Sequence, residues 1–70
     1  MRKRIFIYIK GGVGTQAFCT QIKARTIQET RDRLDHVCNL KYNKGIKAGQ
    51  EYTFMFNGRE YTHTPKAKQS

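Results

Sequence analysis

The element that most constrains the fold of this 70-residue chain is one short helix, predicted from Thr26 to about Asn39. It begins with the pattern of a capping box, Thr26-Ile27-Gln28-Glu29. In such a box the threonine hydroxyl accepts the N–H of Glu29, and the glutamate carboxylate returns to the N–H of the cap residue. Apolar and small residues then recur at helical spacing, which predicts a stripe that must be buried against a partner surface. They are Ile27, Thr30, Leu34, Val37 and Cys38.

The first strand is predicted at residues 4–10, which are dense in β-branched and aromatic side chains. Alternation places three isoleucines on one face, and it places Phe6 and Tyr8 on the other. If the helix covers the isoleucine face, the two aromatic rings remain on the far face, framed by Arg4 and Lys10.

A second strand, antiparallel to the first, is predicted at residues 16–25, after a glycine-rich turn at residues 11–14. Strict alternation places Phe18 on the same face as Ile22. It places Cys19 on the opposite face, with the basic residues of the strand.

A hairpin is the clearest local signal after the helix. Asn57-Gly58 favours a type I′ turn because both turn positions need positive φ. A two-residue turn predicts the pairs Phe56–Arg59, Phe54–Tyr61 and Tyr52–His63 on the face that joins the core. Residues 39–50, between the helix and this hairpin, hold three lysines and are predicted to form an exposed basic loop.

These elements predict an α+β fold, a four-stranded antiparallel sheet in the order β-β-α-β-β with one helix packed on one face. The predicted single domain covers residues 1–64, and residues 65–70 are predicted to be a disordered basic tail. Two cysteines in a chain without a recognisable secretion signal favour reduced thiols in a cytoplasmic protein. Whether Cys19 and Cys38 ever pair depends on their geometry.

The charge is the strongest indication of function. Fourteen Lys and Arg against five Asp and Glu give a net charge of +9. A field of this sign attracts polyanions, and nucleic acid is the commonest cellular one. No apolar stretch approaches the roughly 20 residues that span a bilayer, so no membrane partner is expected.

The sequence does not support the catalytic and metal-binding patterns that it partly resembles. Residues 10–15, KGGVGT, resemble the phosphate loop of ParA-type ATPases but lack its second lysine and its following helix. The spacing of Cys and His is not that of a zinc site. A ribonuclease centre around His63 stays a minor alternative, because alternation sends Glu60 to the opposite face of the hairpin. We therefore expect no enzymatic activity, no metal and no cofactor.

The predicted binding surface combines cations with aromatic rings, so that bases could stack while cations contact phosphate. Its candidate residues are Arg4, Phe6, Tyr8, Lys10, Lys23, Arg25, Lys41, Tyr42, Lys44 and Lys47. Two simpler interpretations stay open: the charges keep a small protein soluble, or the rings contact a partner subunit.

The chain also resembles small phage-encoded anti-CRISPR proteins that inhibit the type I-F surveillance complex. The resemblance covers most of residues 4–64 and depends on the element order, with Gln21-Ile22-Lys23-Ala24 leading into the capped helix. It implies a non-enzymatic inhibitor that binds a Cas–guide RNA complex and interferes with target DNA binding. The alternative is a stand-alone nucleic-acid-binding or regulatory module, as a monomer or small homo-oligomer. In either case a chain of charge +9 is not a DNA mimic.

Overall fold

The computed structural model describes residues 2–10 and 16–67, and for Lys10 and Gln16 it describes the backbone only. The described chain forms one antiparallel sheet and one helix, which confirms the predicted α+β fold. The elements in chain order are β1 (Lys3–Lys10), β2 (Gln16–Ala24), α1 (Ile27–Val37), β3 (Tyr52–Phe56) and β4 (Arg59–His63). The turn predicted at residues 11–14 lies outside the described residues.

The sheet has the strand order β2-β1-β3-β4, so the two hairpins join through their first strands. Ile7 pairs with Phe54, and Ile9 pairs with Tyr52. β1 and β3 supply the largest apolar side chains, and placing them at the centre buries these side chains most completely. The more polar strands β2 and β4 form the edges, where charged side chains discourage pairing with other chains.

The helix begins where the capping pattern predicts. The hydroxyl of Thr26 accepts the N–H of Glu29 at 3.0 Å. The carboxylate of Glu29, however, accepts the N–H of Arg25 at 3.2 Å rather than that of the cap residue. The helix ends at Val37, two residues before the predicted end, and Cys38 is its C-cap. No helix within residues 2–10 and 16–67 has the length and apolar character needed to span a membrane.

The second hairpin has the predicted turn and register. Asn57 and Gly58 both have positive φ, 51° and 77°, as a type I′ turn requires. All three predicted cross-strand pairs are present. The aromatic side chains of β3 therefore join the isoleucines of β1 beneath the helix. The buried core consists of Ile5, Ile7, Ile22, Ala24, Leu34, Val37, Ile46, Tyr52, Phe54 and Phe56.

The basic loop between α1 and β3 is attached to the core, which corrects the prediction that it is simply exposed. Ile46 is fully buried within it. The hydroxyl of Tyr52 accepts the N–H of Lys47 at 2.7 Å and donates to the carbonyl of Gly45 at 3.1 Å. One buried tyrosine thus fixes the course of the loop above the sheet.

The packed chain extends beyond the predicted domain end at residue 64, because Pro65 and Lys66 contact the loop and the helix. Pro65 is buried, and its carbonyl accepts the N–H of Gly49 at 2.9 Å. Oδ1 of Asp35 accepts the N–H of Lys66 at 3.3 Å and lies 2.9 Å from Nε2 of His63. Asp35 therefore holds β4 and the chain after it. Residues 68–70 lie outside the described residues.

Candidate functional site

The open face of the sheet, opposite the helix, carries the first group of predicted site residues. Ile5 and Ile7 of β1 point into the core, so alternation turns Arg4, Phe6 and Tyr8 to the open face. Phe6 is 45% exposed, although it is a large aromatic residue in a central strand. The prediction that the aromatics of β1 lie opposite the helix is confirmed for Phe6 and Tyr8.

A β-bulge in β2 adds a third ring to this face. Ile7 pairs with Thr20, but the next residue, Tyr8, pairs with Phe18, so one residue of β2 is left over. The extra residue reverses the alternation. Phe18 therefore lies on the open face, 58% exposed, whereas Cys19 packs against the core. The predicted placement of both residues was wrong for this reason.

The three rings form a contiguous cluster, which we call the aromatic platform (Phe6, Tyr8 and Phe18). The centroid of the Phe18 ring lies 6.1 Å from that of Phe6 and 5.9 Å from that of Tyr8. The interplanar angles are 57° and 75°, close to the edge-to-face arrangement that aromatic pairs prefer. Exposed apolar clusters of this kind mark binding sites more often than isolated exposed residues do.

Positive charge flanks the platform. Arg4 and Lys23 are direct cross-strand partners in β1 and β2, and the pair Ile5–Ile22 separates them from Phe6–Gln21, the next pair on the same face of the sheet. Like charges directly opposite in an antiparallel pair destabilise the sheet by roughly 0.2–1 kcal/mol. The fold thus holds two cations side by side at a cost, and a bound anion would remove that cost.

A cleft of about 480 Å³ continues from this pair around the edge of β2 to the helix. We call it the basic cleft; it is lined by Arg2, Arg4, Gln21, Ile22, Lys23, Arg33, Val37 and Lys44. Of its five cationic residues, only Arg2 makes an ion pair with a described residue, Nε lying 3.6 Å from Oε1 of Glu29. The cleft therefore has a strong excess of positive charge.

Lys44 reaches this cleft from a strained turn. Its φ is 53°, in the left-handed region that residues with a Cβ adopt at a cost of about 1 kcal/mol or more. The turn is closed by Asn43, whose side-chain oxygen accepts the N–H of Gly45 at 3.1 Å and whose carbonyl accepts that of Ile46 at 2.8 Å. Glycine would be the less strained residue here, so lysine is retained at the expense of stability.

Replacing Lys44 with glycine is accordingly expected to raise the free energy of unfolding by about 0.5–1 kcal/mol, since the gain from positive φ exceeds the loss in chain entropy. Chemical denaturation of both proteins measures the difference. Lys41→Gly removes the same charge from the same loop outside the turn, and is the control. A Lys44→Gly protein less stable than the Lys41→Gly protein would show that the lysine side chain, rather than its backbone conformation, determines the local stability.

The remaining candidate residues are not part of the aromatic platform or the basic cleft. Tyr42 is 82% exposed, with Nζ of Lys41 at 5.8 Å from its ring centroid. Lys47 and Arg25 are also exposed. For Lys10 the side chain lies outside the described residues. The structure thus brings together Arg4, Phe6, Tyr8, Lys23 and Lys44. It adds three residues that were not among the ten candidates: Arg2, Phe18 and Arg33.

His63, Cys19 and Cys38 are engaged in structural contacts. His63 binds Asp35, and Glu60 lies on the other face of the hairpin, opposite Met55. Burial raises the pKa of the Cys19 thiol; burial and, to a lesser extent, the nearby Asp35 carboxylate raise that of Cys38. Both cysteines are free thiols, held in the protonated, less nucleophilic form. Within the described ranges no three potential ligands converge as a metal site.

Comparison of the chain with protein-family models, curated proteins and solved structures found no match. The chemistry of the platform and the cleft is therefore what indicates a function.

Proposed function

We propose that the protein is a nucleic-acid-binding module that holds an unpaired strand on the open face of its sheet. The observation that carries this proposal is the position of the aromatic platform next to the Arg4–Lys23 pair. Every base has a π-face that can stack on an aromatic ring, and every nucleotide adds a phosphate that a cation can contact. Rings and cations at neighbouring positions on one face of the sheet meet both requirements.

An unpaired strand fits this face better than a duplex. Bases inside a duplex are already stacked on each other, so exposed rings gain nothing from them unless the duplex opens. Direct reading of a duplex needs an element that enters a groove, usually a helix or a narrow two-stranded ribbon. Here the rings lie on the face of a four-stranded sheet, and the helix covers the opposite face.

A second candidate is a surface that binds protein and nucleic acid together, as in an inhibitor of a Cas–guide RNA complex. Met55, on the same face, is 48% exposed and adds an aliphatic side chain that contributes little to base stacking. Its neighbour across the β3–β4 pair is Glu60, an acid that would repel phosphate. A partner with a protein component could cover this half of the face while RNA or DNA contacts the basic half.

The test is a set of binding titrations with unpaired DNA, unpaired RNA and duplex DNA of equal length. Binding is measured by fluorescence anisotropy at several salt concentrations. We expect the unpaired strands to bind more tightly than the duplex, with affinity falling steeply as salt rises. Phe18→Ala should weaken this binding roughly tenfold, because one stacked base contributes about 1–3 kcal/mol. Tyr42→Ala, which removes an exposed ring outside the platform, is the control.

Two results would contradict the proposal that the protein is a stand-alone nucleic-acid-binding module. Equal weakening by Phe18→Ala and Tyr42→Ala would mean that the platform is not the binding surface. Negligible binding of all three nucleic acids at physiological salt would reject stand-alone binding and favour the composite site. A pull-down with a reconstituted Cas–guide RNA complex would then test the second candidate.

A further inference from the structure

The basic cleft concentrates more charge than the backbone of one strand can neutralise. Five cationic side chains surround a volume of about 480 Å³, and Glu29 pairs with one of them. A nucleic-acid strand carries one negative charge per nucleotide, so a cleft of about 480 Å³ takes up roughly one or two of its phosphodiesters. Four cations would thus face one or two charges.

We propose that the basic cleft binds a compact oligophosphate group, of the kind found in a nucleoside triphosphate or at the 5′ end of an unprocessed strand. Three linked phosphates bring about four negative charges into a space of this size, which matches the four cations without a carboxylate partner. Arginine and lysine are both suited to this role, arginine through two parallel hydrogen bonds and lysine as a compact point charge.

The cleft is assembled from separate parts of the chain. Arg33 comes from the helix and Lys44 from the strained turn, whereas Arg4 and Lys23 come from paired strands. These cations are therefore held in place by the fold rather than by neighbouring positions in one flexible segment. A preformed arrangement lowers the entropy lost when a ligand binds.

The floor of the cleft strengthens its electrostatic interactions. It is formed by Ile22 and Val37, which are almost fully buried members of the core. Apolar groups next to a charge exclude water and lower the local dielectric constant, so that attraction to an anion increases. The only other neutral lining residue, Gln21, offers an amide that can donate to a phosphate oxygen.

The cleft and the platform are continuous. Gln21, which lines the cleft, is the cross-strand partner of Phe6, and the next pair on the same face of the sheet is Arg4–Lys23. A strand with its 5′ oligophosphate in the cleft could therefore continue with its first bases on the platform. This strand-end form of the inference rests on the proposed function, whereas binding of a free oligophosphate does not.

Calorimetry with inorganic tripolyphosphate tests the cleft by itself. We expect saturable binding of one equivalent, weakened at least tenfold by the double variant Arg33→Gln/Lys44→Gln. The control is Lys41→Gln/Arg59→Gln, which removes the same charge from exposed positions outside the cleft and should weaken binding less than threefold. If the double variant is unstable, the measurement is repeated with Lys44→Gly, which is expected to fold at least as well as the parent protein. Equal weakening by both double variants would overturn the inference, because only net charge would then matter.

Two oligonucleotides of one sequence, with a 5′-triphosphate or a 5′-hydroxyl, distinguish the sources of the ligand. Tighter binding of the 5′-triphosphate oligonucleotide than of the 5′-hydroxyl one supports the strand-end form. This preference should be lost in Arg33→Gln/Lys44→Gln but not in Phe18→Ala. If both oligonucleotides bind equally and tripolyphosphate does not bind, the cleft inference fails while the proposed function stands. If tripolyphosphate binds but neither oligonucleotide does, the cleft is a site for a free oligophosphate and the proposed function fails.

Discussion

Replacing Phe54 with alanine is expected to lower the free energy of unfolding by about 3–5 kcal/mol, the usual cost of removing a buried phenylalanine. Phe54 has no solvent exposure, lies opposite Ile7 in the centre of the sheet, and stacks on Tyr61 with ring centroids 5.7 Å apart. A 70-residue domain buries only a modest core, so a loss of this size approaches its whole stability. Chemical denaturation followed by circular dichroism measures it.

Phe18→Ala is the matched control, because the same atoms are removed from the other face of the same sheet. Phe18 is 58% exposed, so its loss should cost less than about 1 kcal/mol. The ratio of the two losses in unfolding free energy tests which face of the sheet is buried and which is open. If Phe18→Ala destabilised the protein as much as Phe54→Ala, the platform would belong to the core and would not be free to bind a ligand.

The sequence was sufficient to predict the elements whose signals are local. The hydroxyl of Thr26 caps the helix through a contact three residues away, and Asn57-Gly58 sets the hairpin register by its own backbone preference. Alternation also predicted which face of β1 joins the core, because no bulge interrupts the alternation of its isoleucines. In each case the physical cause lies within a few residues of its effect.

The bulge could not be predicted in this way. Alternation assumes that each residue of β2 opposes one residue of β1, but the pairing advances by two residues of β2 between Ile7 and Tyr8. One unpaired residue exchanges the faces of Phe18 and Cys19. The position of Phe18, the most exposed ring of the platform, on the open face depends on this exchange. An exposed phenylalanine beside a cysteine that packs against the core is a pattern that only the paired strand explains.

The cleft and the loop were missed because their contacts join distant parts of the chain. Ile46 lies among lysines and glycines, so no periodic pattern marks it as a core residue, yet it is fully buried. Arg33 has ordinary helical spacing on a charged face, and only the position of β2 beside it shows that it lines a cleft. Contacts of this kind are set by the strand order β2-β1-β3-β4, which the sequence did not reveal.

The Arg4–Lys23 pair leads to a prediction in which stability and binding change in opposite directions. Replacing Lys23 with glutamate converts a cross-strand repulsion into an attraction, so the free energy of unfolding should rise by roughly 0.2–1 kcal/mol. The same change removes a phosphate contact and places a negative charge beside the platform. Affinity for an unpaired strand should then fall roughly ten- to a hundredfold at moderate salt, with a shallower salt dependence.

Lys41→Glu is the control for this experiment, since it makes the same change in net charge at an exposed position outside the platform and the cleft. It should weaken binding only slightly and leave the stability nearly unchanged. Equal losses of affinity in the two variants would show that net charge, rather than the Arg4–Lys23 pair, governs binding. A Lys23→Glu protein that is more stable and binds poorly would show instead that the sheet keeps two adjacent cations for an anionic ligand, because a fold selected for stability alone would favour an opposite charge at one of the two positions.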